Sequence, residues 1–287
     1  MDFAELASLM PTWAVFATAL VFVLGCCMGS FMNCMAWRIV HDESWTHGRS
    51  HCAVCNHELN ALDLIPVASW LALKGKCRYC KEPISVRYTV AELILGVYFV
   101  SVFVFFGISV QTLALMAAGC LLLGLSLVDI DSMIIPNGFI IALIVVWVAM
   151  LAGAYATGDL ASGSSGSLGT LWIDAFGGNA LIATLVDSLA GAFAVSLLVL
   201  VVGAGFSKVA GKSGMGMGDV KLYFAVGLYL GLGCAVLNMF ISCVIGLVFA
   251  LIAGKKREFP FGPSIALSTW LVLLIGPLIL TLYLSLF

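Results

Sequence analysis

Two sets of residues in this chain have the types and spacing that chemistry requires. Cys52, Cys55, Cys77 and Cys80 form two Cys-x-x-Cys pairs, and two such pairs offer four thiolates to one tetrahedral ion at a Zn–S distance of about 2.3 Å. The second set is acidic. Asp129 and Asp131 lie in "LSLVDIDSMIIPN" and Asp219 in "GMGMGDVK", each where an apolar run ends or begins. Acids at such positions are costly in a bilayer and raise a functional hypothesis. Two carboxyls a few ångströms apart do not both ionise easily, so one keeps its proton while the other stays charged. The charged one takes a proton from water and the protonated one polarises a peptide carbonyl, which is the chemistry of aspartyl proteolysis.

Plainer roles compete with this. Asp219, just ahead of an apolar run, is also a favoured helix N-cap. Asp129 is less easily explained, because a carboxylate near a helix C-terminus faces the negative end of the dipole and needs compensation. Residues at i and i+2 do not share a helix face, so one of Asp129 and Asp131 is expected to meet Asp219, and not the other. The glycines at 214, 216 and 218 either admit a substrate backbone close to the acid or form a turn. Glu92 and Asp187 lie near the ends of apolar runs, where snorkelling or ordinary polar contacts account for them.

The elements that must position these residues follow from composition. Of the 287 residues, 62% are hydrophobic and 10% charged, against roughly 25% charged in soluble domains. The expected fold is an all-α polytopic membrane protein. Runs long enough to cross or partly cross the hydrocarbon core cover 12–37, 90–107, 111–128, 138–156, 180–206, 219–232, 234–253 and 264–286. The stretch 219–253 reads either as one long tilted helix or as two short ones broken near "GLG" at 231–233. Charge favours two. The thirteen Lys and Arg residues all fall in 38–89, 207–221 and 255–257, and basic residues prefer cytoplasmic loops. Eight spans put all three stretches on one face, with both termini outside. The expected divisions are a first helix over 1–37, a cytoplasmic metal-binding domain over 38–89, and a membrane domain of seven helices over 90–287. The outer loop 157–179 has flexible-linker composition in its Gly/Ser-rich first half. No internal repeat stands out, and a net charge of −2 offers no case for nucleic-acid binding.

Disulfides are the competing use of the cysteine quartet, but structural disulfides are rare in the reducing cytoplasm, where charge places this loop. A segment with few large apolar groups folds poorly unaided, so zinc is expected as a structural staple. A shell of four thiolates leaves no open position for catalysis. His41, His47, His51 and His57 are alternative ligands or exposed loop residues. The remaining cysteines, such as Cys26, Cys27 and Cys243, read as packing residues.

Several stretches together resemble the bacterial type IV prepilin peptidases, which are GxGD-type intramembrane aspartyl proteases. "GSFMNCMAWRI" (29–39) is similar to the family's first-helix signature, and "ALDLIPVASWLALKGKCRYCKEPISVRYTVAELILG" (61–96) follows its zinc-loop pattern. "DIDSMIIPN" (129–137) and "GMGDVKL" (216–222) resemble its two aspartate motifs, and "FPFGP" (259–263) the segment before its last helix. Asn137 stands where the family more usually has Asp, and Ala53 where Pro is common.

The resemblance implies that Asp129 and Asp219 are the catalytic pair, supported by Asp131, Gly216, Gly218 and Lys221, with zinc on Cys52, Cys55, Cys77 and Cys80. It implies prepilin or pseudopilin substrates cut at the cytoplasmic face of the bacterial inner membrane, with lipid around the helices. It also implies methylation of the new N-terminus with S-adenosylmethionine, and Gly75 in "KGKC" matches the bifunctional members. No glycine-rich nucleotide fingerprint follows a strand. The alternative function is a non-enzymatic zinc-bearing membrane scaffold or transporter, whose carboxylates line an ion path or cap helices.

Overall fold

A computed structural model describes residues 12–158, 178–210, 216–253 and 260–286. Regular structure among them is helical, with two isolated β-bridges and no strand. The helices are α1 (Thr12–Val40), a 3₁₀ turn (Ala61–Leu64), α2 (Ala68–Ala72), α3 (Val86–Phe106), α4 (Val110–Ser132), α5 (Asn137–Thr157), α6 (Ala180–Ala210), α7 (Met217–Ala253) and α8 (Gly262–Leu284). Seven of these are long and apolar enough to cross a membrane. Large side chains such as Phe16, Leu20, Val201 and Leu251 stand exposed on them, as a lipid-facing surface requires. The expected outer loop falls mostly outside the described residues, as do Gly214, Lys212 and the basic run 255–257.

Helix α7 settles the one open point of the span count. At 1.5 Å per residue, Tyr223 and Ser242 would sit about 28 Å apart on a straight helix. Instead the Tyr223 hydroxyl and Ser242 Oγ lie 2.5 Å apart. The helix doubles back between them, and the break is Gly231, with φ 68° and ψ 176°, a conformation open essentially to glycine alone. The stretch therefore comprises two antiparallel rods, 217–230 and 232–253, and the described residues contain eight apolar rods. Asp187 of α6 secures the reversal: buried at 3% exposure, its Oδ1 accepts the Leu232 N–H at 3.1 Å, satisfying an orphan donor at the start of the returning rod. Asp187 thus makes a buried polar contact and does not snorkel.

The chain divides into two compact units, 1–112 and 113–287. In the first, α1 packs on α3 along a glycine seam: a side chain added at Gly25 or Gly29 would strike the α3 backbone, and one at Gly96 the Cys26 sulfur. Small residues of this kind let membrane helices approach closely. Between these two helices the chain forms the cysteine-bearing segment. Glu92 of α3, also buried, accepts the Val67 N–H at 2.8 Å and so ties α2 to the membrane helix. In the second unit α6 and α8 pack on α7, with Trp147, Ala192 and Leu228 in a shared core.

Candidate active site

The cysteine segment is built from one turn used twice. The Asn56 N–H reaches back to the Cys52 carbonyl at 2.9 Å and the Cys52 N–H takes the His57 carbonyl at 3.0 Å. Likewise the Lys81 N–H reaches the Cys77 carbonyl at 3.1 Å and the Cys77 N–H the Glu82 carbonyl at 2.8 Å. Asn56 and Lys81 both hold positive φ, and the bridges His51–Glu58 and Lys76–Pro83 close the two turns. The repetition escapes sequence inspection because it lies in backbone geometry and shares little beyond the cysteines.

All four Sγ atoms lie within 4.8 Å of one another, and Cys52 and Cys80 are 3.9 Å apart. Tetrahedral thiolates at 2.3 Å from one ion would sit about 3.8 Å apart, so the set fits zinc. Among the described residues no histidine joins the cluster. His41 stacks on Trp37 with ring centroids 4.2 Å apart, and His57 lies against Tyr79 at 3.6 Å. Without a metal the Cys55 backbone amide holds the Cys52 thiol down at about 7. At Cys80 the Glu82 amide favours the thiolate, but burial and the neighbouring Cys77, Cys55 and Cys52 thiols push it up to about 12.

The acids belong to the second unit. Asp129 occupies the last turn of α4 and is buried, at 4% exposure. The compensation its position demands comes from another helix: the N–H of Gly262, first residue of α8, donates to Asp129 Oδ2 at 2.9 Å. That amide is one of the unpaired donors at the positive end of α8. A side chain on Gly262 would come within 2.6 Å of the same oxygen. Sequence reasoning passed over Gly262. Its local signals are Pro263 at the helix start and its place in "FPFGP", and nothing in the one-dimensional pattern couples it to an acid 133 positions away.

Asp219 is the third residue of α7, one turn inside the position of an N-cap, with its N–H on the Gly216 carbonyl at 3.1 Å. Its half-buried carboxyl lies against the Gly216 amide and within electrostatic reach of Asp129. Asp131 is exposed. The two aspartate segments are also joined away from the acids. Lys221 Nζ donates to Asn137 Oδ1 at 2.9 Å, and a side chain on Gly218 would press within 3.0 Å of Ile135 Cβ. Gly218 is thus a packing glycine, whereas Gly216 is exposed at the helix entrance.

This arrangement has relatives. Residues 23–106 match the bacterial peptidase A24 N-terminal domain and residues 113–251 the type IV leader peptidase family. A protein of Aeromonas hydrophila named prepilin leader peptidase/N-methyltransferase is 30% identical over 98% of this chain and 97% of its own length. Proteins of the same name from Stutzerimonas stutzeri, 31% identical over 92% of each chain, and Bacillus subtilis, 30% identical over 93% of this chain and 98% of its own, are similarly related. No solved structure matches the chain significantly. The match extends through both units and nearly end to end, and the chain belongs to the type IV leader peptidase family.

Proposed function

We propose that the chain is a membrane aspartyl endopeptidase that removes the leader of type IV prepilins and pseudopilins, with Asp129 and Asp219 as its catalytic pair, and that it then methylates the new N-terminus. The observation that supports the reading is that Asp129 at the end of α4, held by the α8 amide, and Asp219 at the start of α7 lie within electrostatic reach of each other. In the reaction a water lies between the carboxyls. The ionised carboxylate removes its proton as the water oxygen attacks the scissile carbonyl carbon, and the protonated partner donates to the carbonyl oxygen. Collapse returns a proton to the leaving amine and frees both products. Gly262 occupies Asp129 Oδ2, leaving Oδ1 to the water.

The basic stretches orient the acids toward the cytoplasm and both termini outward, in the bacterial inner membrane, by the preference of Lys and Arg for that side. Zinc on Cys52, Cys55, Cys77 and Cys80 serves to fold its segment. S-adenosylmethionine supplies an electrophilic methyl group when bound, and the chain's own residues hold and orient it. A scaffold or transporter is disfavoured, since a leader peptidase family member has a use for a paired acid site that a scaffold lacks. The test is incubation of the purified protein with a prepilin and S-adenosylmethionine, followed by intact-mass measurement. Loss of the leader and gain of one methyl group are expected; an unchanged mass contradicts the reading.

A further inference from the structure

Beneath the acids, the second unit carries a seam of polar side chains inside the membrane domain. Three rods contribute to it. Tyr223 stands one turn after Asp219 on the first rod of α7, on the same helix face. Asn238 and Ser242 stand one turn apart on the returning rod, and Ser264 and Ser268 one turn apart on α8, Ser264 only two residues past Gly262. All five are buried, Asn238 at 1% exposure and Ser264 at 0%. Ser268 Oγ meets Asn238 Oδ1 across the interface of α7 and α8, and the Tyr223 hydroxyl meets Ser242 Oγ at 2.5 Å.

Most of the seam is satisfied from within. Ser242 gives its proton to the Met239 carbonyl at 2.9 Å and receives that of Tyr223, while Ser268 has the Ile265 carbonyl of its own helix at 2.9 Å. Two groups differ: Asn238 Nδ2 and Ser264 Oγ are buried with no hydrogen-bond partner among the described residues. Ser264 lies in the first turn of α8, where no preceding helical turn offers the carbonyl that a serine farther along uses. Its hydroxyl is instead turned toward the returning rod, since a side chain on Gly246 would come within 3.5 Å of Ser264 Oγ and 2.6 Å of Phe261 Cε2. Asn238, Ser242 and Gly246 follow one another at intervals of four, so they form one stripe on that rod. Ser268 and Ser264 lie along it in antiparallel order.

We propose that Asn238 Nδ2 and Ser264 Oγ bind a water molecule one turn inside the catalytic acids, and that this water is held in reserve for the hydrolysis. The catalytic role rests on the protease reading above. The two groups fix the ligand by their chemistry. An amide N–H requires an acceptor, which a cation is not, and a hydroxyl serves as donor or acceptor; both are neutral and call for no ion. Buried polar groups without partners are costly, and buried waters characteristically satisfy them. The Tyr223 oxygen, having given its proton to Ser242, keeps lone pairs for a further bond. The place also suits the reaction. Each cleavage consumes one water, and a peptide laid over the acids covers the cytoplasmic side from which the next would come. A water held between α7 and α8 lies behind the acids.

X-ray hydroxyl-radical footprinting of the detergent-solubilised full-length protein tests the site, because radicals born from a bound water oxidise buried side chains beside it. Tyr223, at 1% exposure, should be oxidised about threefold or more faster than Tyr98, which is buried at 5%, if a water is resident in the seam. Ser264→Ala should remove that excess and lower kcat for prepilin cleavage by about tenfold with little change in KM, the loss expected for one hydrogen bond to the water. Its melting temperature should not rise. In a dry seam the same change removes a stranded hydroxyl, which raises the melting temperature and leaves kcat alone. Failure of the wild type to cleave prepilin overturns the protease reading and the catalytic role with it. Normal cleavage with Tyr223 oxidised no faster than Tyr98, or with Ser264→Ala either raising the melting temperature or leaving kcat unchanged, overturns the inference alone.

Discussion

Gly262 donates its backbone N–H to Asp129 Oδ2 at 2.9 Å, so the start of the last helix holds an acid at the end of α4. The contact answers an electrostatic difficulty. A carboxylate at a helix C-terminus is unfavourable by itself, and the positive end of a second helix supplies what the first lacks. A methyl group on Gly262 would sit 2.6 Å from that oxygen. Gly262→Ala is therefore expected to turn the carboxyl away, and displacements of about 1 Å at a catalytic group cost about a hundredfold in rate. Cleavage of a purified prepilin should show this as lost kcat with little change in KM, in a protein of unaltered melting temperature.

Lys221 and Asn137 link the two aspartate segments through one exposed hydrogen bond of 2.9 Å. Exposed contacts of this kind contribute about 0–1 kcal/mol, so Asn137→Leu should slow cleavage by less than about fivefold. Asn137→Asp, which offers Lys221 a charged partner, should match or exceed the wild-type rate. A loss of two orders of magnitude in either variant would mean that Asn137 has a direct part in the chemistry.

The reversal at Gly231 depends on Asp187. Removing the acceptor in Asp187→Ala leaves the half-buried Leu232 amide without its partner, at a cost of about 1–3 kcal/mol. Asp187→Asn keeps an acceptor and should be nearly neutral. Gly231→Ala should be at least as damaging as Asp187→Ala, because the new methyl group would collide with the Asp187 carboxyl. Melting in detergent ranks the three, and equal melting temperatures for Asp187→Ala and Asp187→Asn would count against the capping role.

Zinc binding should weaken as pH falls. The metal takes thiolates, so protons compete with it. Cys52, held down at about 7, supplies its thiolate readily at neutral pH but is protonated below it. Cys80, pushed up to about 12, must release a proton to the medium at any pH below that. Competition with a chromophoric chelator should therefore show affinity rising steadily from pH 6 to pH 8. Stripping the metal should unfold residues 38–89, seen as loss of protection from protease in that segment. A pH-independent affinity would argue against a four-thiolate site.

Much of this was legible before any coordinates, and what was not shares one cause. The cysteine spacing alone picked out the four thiols that the structure brings within 4.8 Å of one another, because each Cys-x-x-Cys turn is local. The basic stretches alone required an even number of spans, and the Tyr223–Ser242 contact bears that out. Spacing alone does not decide between Asp129 and Asp131 as the partner of Asp219, since that depends on which face of α4 turns inward; the family resemblance implies Asp129. The bond from Gly262 to Asp129 and the Asp187 cap were not legible at all. Each joins segments far apart in the chain through a backbone amide, and such partners leave no periodicity or spacing to read.

The central claim is tested most directly by replacing each acid with its amide. Asp129→Asn and Asp219→Asn keep size and hydrogen bonding but remove the proton chemistry. Prepilin cleavage by each purified variant, followed by intact-mass measurement, should fall to background while S-adenosylmethionine binding persists. Wild-type cleavage by either single variant would contradict the account.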